Sequence, residues 1–165
     1  MTKFKELCTA FSKAQSDFIA FQSDCHQFAV EMMEELKVYF EVPDKQYSLY
    51  KINEQNQFVL VQNALVNALT LRPDSSWQFG IGLTVCSAPE SLPQELILIH
   101  IHIRQDMDGD FYIKYGNQEE EHKVMNEEKF DFIPFFDFLH ETIIKTYEDH
   151  ITHFVGKETR RKIGY

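Results

Sequence analysis

Proline and glycine are scarce in this chain, at 5 and 6 of 165 residues, which excludes a collagen-like repeat or a flexible linker. Cysteine occurs three times, an odd number with no Cys-x-x-Cys pair, so neither a disulfide framework nor a common zinc spacing is present. Long apolar runs are also missing. Stretches such as Leu96 to Ile99 fall far short of the roughly 20 residues that span a bilayer. Bases are few: 16 Lys and Arg stand against 26 Asp and Glu, a formal net charge of -10. That balance argues against general binding to nucleic acid or to an anionic membrane. Aromatic residues are plentiful, with 15 Phe, 7 Tyr and one Trp, enough bulk to bury a sizeable core. The length suits one domain.

The first forty residues carry the clearest pattern. No Pro or Gly precedes Pro43. Phe4, Phe11, Phe18, Cys25, Met32 and Tyr39 recur every seven residues, and Leu7, Ala14, Phe21 and Phe28 follow the first four by three. This spacing predicts one helix over residues 3–40 with an apolar stripe along it. Val42-Pro43 ends it, because a residue before proline avoids the helical region.

Strand-like segments follow. Residues 46–52 alternate loosely, 53–57 form a polar turn, and 58–71 read as two strands or one bent strand. Trp77, Phe79, Ile81, Leu83 and Val85 share one face of the next strand, with Gln78, Gly80, Gly82 and Thr84 on the other. Residues 88–93 are a loop with two prolines. Ile97, Ile99, Ile101 and Ile103 then share a face, with Leu96, Leu98, His100, His102 and Arg104 opposite. Asp106 to Asp110 is a hairpin turn built on Asp-Gly, and Phe111, Ile113 and Tyr115 return on the isoleucine face. Residues 117–129 read as a polar, acidic connection. A second helix runs over 132–155, with Asp131 as N-cap, Pro134 in the first turn and Gly156 as its stop.

The expected fold is therefore α+β: an antiparallel meander of about five strands, flanked in two layers by a long N-terminal and a long C-terminal helix. Residues 1–155 form the domain, and 156–165 form a basic, flexible tail. The first helix raises a problem of length. At 1.5 Å per residue it runs roughly 57 Å, against about 34 Å for a ten-residue strand. Either it breaks near Ser23-Asp24 and packs within its own domain, or it projects and meets something else, most simply a second copy of itself.

Few residues point to catalysis. His100 and His102 lie on one strand face and, with Asp106 from the following turn, form a candidate metal site for a small metal-dependent enzyme. The metal site is only the alternative reading, since a His-x-His pair beside Leu96 and Leu98 is more simply a pair of imidazoles capping the edge of an apolar layer. Gly80-x-Gly82 lacks the third glycine and the following helix of a dinucleotide loop. No phosphate-cradling loop and no serine elbow occur, and no cysteine has an activating neighbour. The expectation is a non-enzymatic protein without a cofactor.

Charge suggests where a partner would touch. Residues 106–131 hold nine acids against three bases, and the last ten residues carry a net positive charge. The expected partner surface combines Phe4, Phe11 and Phe18 with Asp106, Asp108, Asp110, Glu119, Glu120 and Glu121, and it would favour a basic protein. Gly80, Gly82 and Tyr112 mark the sheet face away from the core as a candidate ligand surface. The expectation is thus an acidic, cytoplasmic protein-interaction module that forms a homodimer. Proteins that neutralise basic toxins or chaperone secreted proteins share this character, by analogy of class alone.

Overall fold

A computed structural model describes residues 2–62, 64–87, 94–153 and 162–163, with the backbone alone for 150–153 and 162–163. Helix α1 spans Lys3–Phe40 without interruption. The Thr2 hydroxyl caps its first turn, accepting from the Lys5 N–H at 3.2 Å. Glu41 closes it in the left-handed region at φ 51°, and the Val42 N–H returns to the Lys37 carbonyl.

The strands are β1 (Tyr47–Ile52), β2 (Phe58–Val61), β3 (Thr70–Leu71), β4 (Trp77–Cys86), β5 (Gln94–Gln105), β6 (Phe111–Tyr115), β7 (Glu121–Asn126), β8 (Phe130–Asp131) and β9 (Lys162–Ile163). They form one sheet in the order β2-β1-β4-β5-β6-β7-β8, and all pairs along this path are antiparallel. β3 pairs with the start of β4, beyond the end of β1. β9 runs parallel to β5 at Leu98 and Ile99. The expected strands are all there, and the sheet extends past them. The polar stretch 117–129 holds β7, which pairs with β6, and the long 58–71 segment splits into β2, a short 3-10 turn at Leu65–Asn67, and β3. The prolyl loop at 88–93, residues 154–155 at the end of the expected second helix with its Gly156 stop, and residues 157–161 and 164–165 of the tail lie outside the described residues.

Helix α2, Ile133–His153, starts after Asp131, whose carboxylate accepts from the Ile133 N–H at 3.2 Å. Both helices cover the same sheet face. The register places Phe79 opposite Ile101, Ile81 opposite Ile99 and Ile103 opposite Ile113, and these side chains pack under Cys25, Phe28, Met32 and Leu36 of α1 and Phe136 and Leu139 of α2. Aromatic rings fill the seam between the layers. Phe28 stacks on Phe111 at 4.2 Å and meets Phe130 and Phe132 at 5.0 and 5.2 Å. At its C-terminal end α1 meets α2 through Tyr39, which lies against Phe136 and donates a hydrogen bond to Asp137. Among the described residues no helix is long and apolar enough to cross a membrane.

The opposite sheet face carries a smaller apolar layer. Ile52 and Leu98 are buried outside the main core, and the rings of Tyr50 and Phe58 lie over Gly82 and Gly80.

Candidate functional site

Helix α1 is one rod with two environments. From Cys25 onward its apolar positions are buried against the sheet. Residues 2–20 are all exposed. Phe4 is 73% exposed, Leu7 68%, Phe11 67%, Phe18 46% and Ile19 58%. Of the two packings open to the sequence, the structure takes the unbroken helix that projects. The cause is length: α1 leaves the sheet where Phe21 and His26 meet Trp77, at 6.2 and 4.9 Å between rings. Trp77 begins β4, and among the described residues no strand lies beneath α1 before Phe21. At about 100° per residue, the mean direction of Phe4, Leu7, Phe11, Ala14 and Phe18 falls within roughly 20° of the sheet-facing side of the same helix. Five apolar positions thus continue the core seam into solvent, and Cys8, the exposed cysteine of the three, sits beside them. Cys25 belongs to the buried half. Burial and then the Asp24 charge push its thiol up to about 12, which leaves it unreactive.

The acidic turn between β5 and β6 lies at the same end of the sheet, since Trp77 is opposite Ile103. Its aspartates are partly committed. Asp106 accepts from the N–H groups of Asp108 and Asp110 at 3.0 and 2.9 Å and from the Tyr112 hydroxyl at 3.2 Å. Asp110 pairs with Lys123 at 3.3 Å. Glu121 holds Arg104 through two bonds of 2.9 and 3.2 Å, and that guanidinium covers the Tyr112 ring at 4.3 Å. Asp108, Glu119 and Glu120 remain exposed.

The glycine face is occupied by the protein itself. A Cβ at position 80 would lie 2.6 Å from the Phe58 ring, and one at position 82 would lie 2.6 Å from the Tyr50 ring. The glycines make room for these rings, so no groove opens over them. Beside them, the His100 and His102 rings lie tilted against each other, 4.3 Å between centres. His100 bonds Gln78 at 2.9 Å and the His102 Nδ1 lies 3.0 Å from the Arg72 guanidinium. Burial, helped by Arg72, lowers His100 to about 4. Burial, then His100, Arg72 and Lys114, lowers His102 to about 3. Both rings are neutral acceptors or donors at ordinary pH. A cleft of about 250 Å³ opens next to His102, lined by Arg72, Lys114, Arg104 and the carboxylates of Asp74, Glu119 and Glu121. Among the described residues no three His, Cys, Asp or Glu side chains are grouped closely enough to hold a metal ion.

Comparison with protein-family models, with curated proteins and with solved structures found no match. The arrangement must speak for itself. Sequence spacing placed the stripe, the acidic turn and the histidine pair correctly on their elements. It missed the Arg72 contact to His102 and the rings over the glycines, both of which join residues about 20 to 30 positions apart through the pairing of β1, β3 and β4.

Proposed function

We propose that this is a non-enzymatic, cytoplasmic protein-binding module whose recognition element is the projecting half of α1. One observation carries the reading: four large apolar side chains, Phe4, Leu7, Phe11 and Phe18, stand in solvent on a single helical seam that is buried farther along. A monomer gains nothing from such a surface, and exposed patches of this kind mark contact sites. Seam residues spaced by three and four suit a helical partner, whose side chains enter the gaps between Phe4, Leu7, Phe11 and Phe18. The exposed carboxylate of Asp108 would add attraction for a basic partner at that end of the sheet, and those of Glu119 and Glu120, in the turn between β6 and β7, would add to the acidic field. Three unbridged cysteines accord with a reducing compartment.

A photo-crosslinking amino acid placed at Phe11 in cells tests this. The expected result is a discrete polypeptide adduct that disappears when Phe4 and Phe18 are changed to Glu. Adduct formation that persists in the Glu variants, or no adduct at all, overturns the reading.

A further inference from the structure

We infer that the helix seated on this stripe is α1 of a second copy of the chain, running antiparallel. The inference rests on the reading above and names the occupant.

Continuity is the first support. The stripe repeats at spacings of three and four from Phe4 to Phe28 without a break, so the outer half carries the same pattern that packs against the sheet. A helical segment of this length is marginal in water without a packed face, yet nothing among the described residues covers it.

Geometry then selects the orientation. Because the stripe points the same way as the sheet-facing side, a partner helix on it lies in line with the sheet, past the Trp77 end. A parallel copy would carry its own sheet at the same level and on the side facing α1, where the first sheet already stands. An antiparallel copy carries its sheet to the far end, beyond Lys3, and the two bodies clear each other.

Side-chain size sets the register. Ala14 is the one small residue on the exposed seam. An antiparallel pairing that places Phe11 against Ala14 of the partner subunit also places Leu7 against Phe18 of the partner subunit and Phe4 against Phe21 of the partner subunit. Each large ring then meets a gap or a neighbour at the edge of a hole. The overlap runs about 18 residues, roughly 27 Å. Charge agrees at the flanks. Lys3 comes beside Asp24 of the partner subunit, twice by symmetry, where both residues are exposed. On the other flank Cys8 comes beside Gln15 of the partner subunit.

That last pair supplies the test. Gln15→Cys, with Cys8 left in place, is expected to form a disulfide-linked dimer on mild oxidation. Phe4→Cys, which would cross-link a parallel pair, is expected to form none, because the two copies of position 4 are separated by about 17 residues of helix, roughly 25 Å. Sedimentation across a wide dilution series should show a reversible dimer, weakened about tenfold or more by Phe11→Glu, which sets a charge in the seam. Cross-linking through position 4 in place of 8 and 15 overturns the orientation. A monomer at every concentration overturns the second copy. If the Phe11 cross-linker still captures a different polypeptide, the binding-module reading survives that failure; if it captures none, both fall.

Discussion

Phe58 reaches across β1 to rest its ring where a side chain at position 80 would begin, and Tyr50 does the same over position 82. Glycine is required here by a close approach, as strand glycines often are. Gly80→Ala drives a methyl group into the Phe58 ring and toward the Tyr50 Cβ, and is expected to lower stability by about 1–3 kcal/mol. Truncating the ring as well, in Phe58→Ala/Gly80→Ala, should lose less than the sum of the single changes, because the clash is shared. Urea unfolding of the four proteins measures this, and strict additivity would refute the contact. The neighbouring histidines give a pH signature. In the fold His100 and His102 stay neutral down to about 4 and 3, chiefly through burial, while in the unfolded chain each titrates near 6.5. Below 6.5 the unfolded chain takes up protons that the folded one refuses. Stability is therefore complete above 6.5 and falls as the pH drops toward 4. One such histidine accounts for about 2 kcal/mol between roughly pH 7 and pH 5. Arg72 and Lys114 face His102 and reinforce the effect, while Asp74 opposes it. His102→Gln should flatten the fall in denaturation midpoint between those two pH values, and an unchanged slope would rule this account out.

Helix α1 separates two uses of one pattern. Phe28 is fully buried, stacked on Phe111 and edged by Phe130. Phe28→Ala is expected to cost about 3–5 kcal/mol of folding stability. Phe11 is two-thirds exposed, and Phe11→Ala should change the stability of the monomer by less than about 0.5 kcal/mol. Denaturant unfolding at high dilution compares them, and similar losses would mean that the outer half of α1 is packed. In the sequence these two phenylalanines look alike, since each holds a heptad position on an uninterrupted helix. The helix itself was legible because its spacing is local, and so were the alternating faces of β4 and β5. What separates Phe11 from Phe28 is where the sheet ends, a property of residues far along the chain. β7 escaped notice for a related reason. Its exposed positions are polar apart from Met125, and only Val124 is buried, so it becomes a strand by pairing with β6 and not through any run of its own.

At the scale of the whole molecule, net charge and the apolar seam pull against each other. Two copies, each with a formal charge of -10, repel as they approach, and the seam must overcome that repulsion. Added salt shortens the reach of charge, to about 8 Å at physiological ionic strength and about 3 Å at 1 M, while leaving apolar burial in place. Self-association through α1 is therefore expected to strengthen as sodium chloride is raised from about 50 mM to about 500 mM. The Lys3 and Asp24 pairs at the rim weaken over the same range, but exposed pairs of this kind contribute little. A basic partner drawn to Asp108, Glu119 and Glu120 responds in the opposite sense, because there the charges attract and salt screens the attraction. Sedimentation at several salt concentrations thus reads out which force governs association. A dimer whose dissociation constant falls with salt is held by the phenylalanine seam. One that dissociates with salt would place the contact at the acidic turn and leave the projecting helix unexplained.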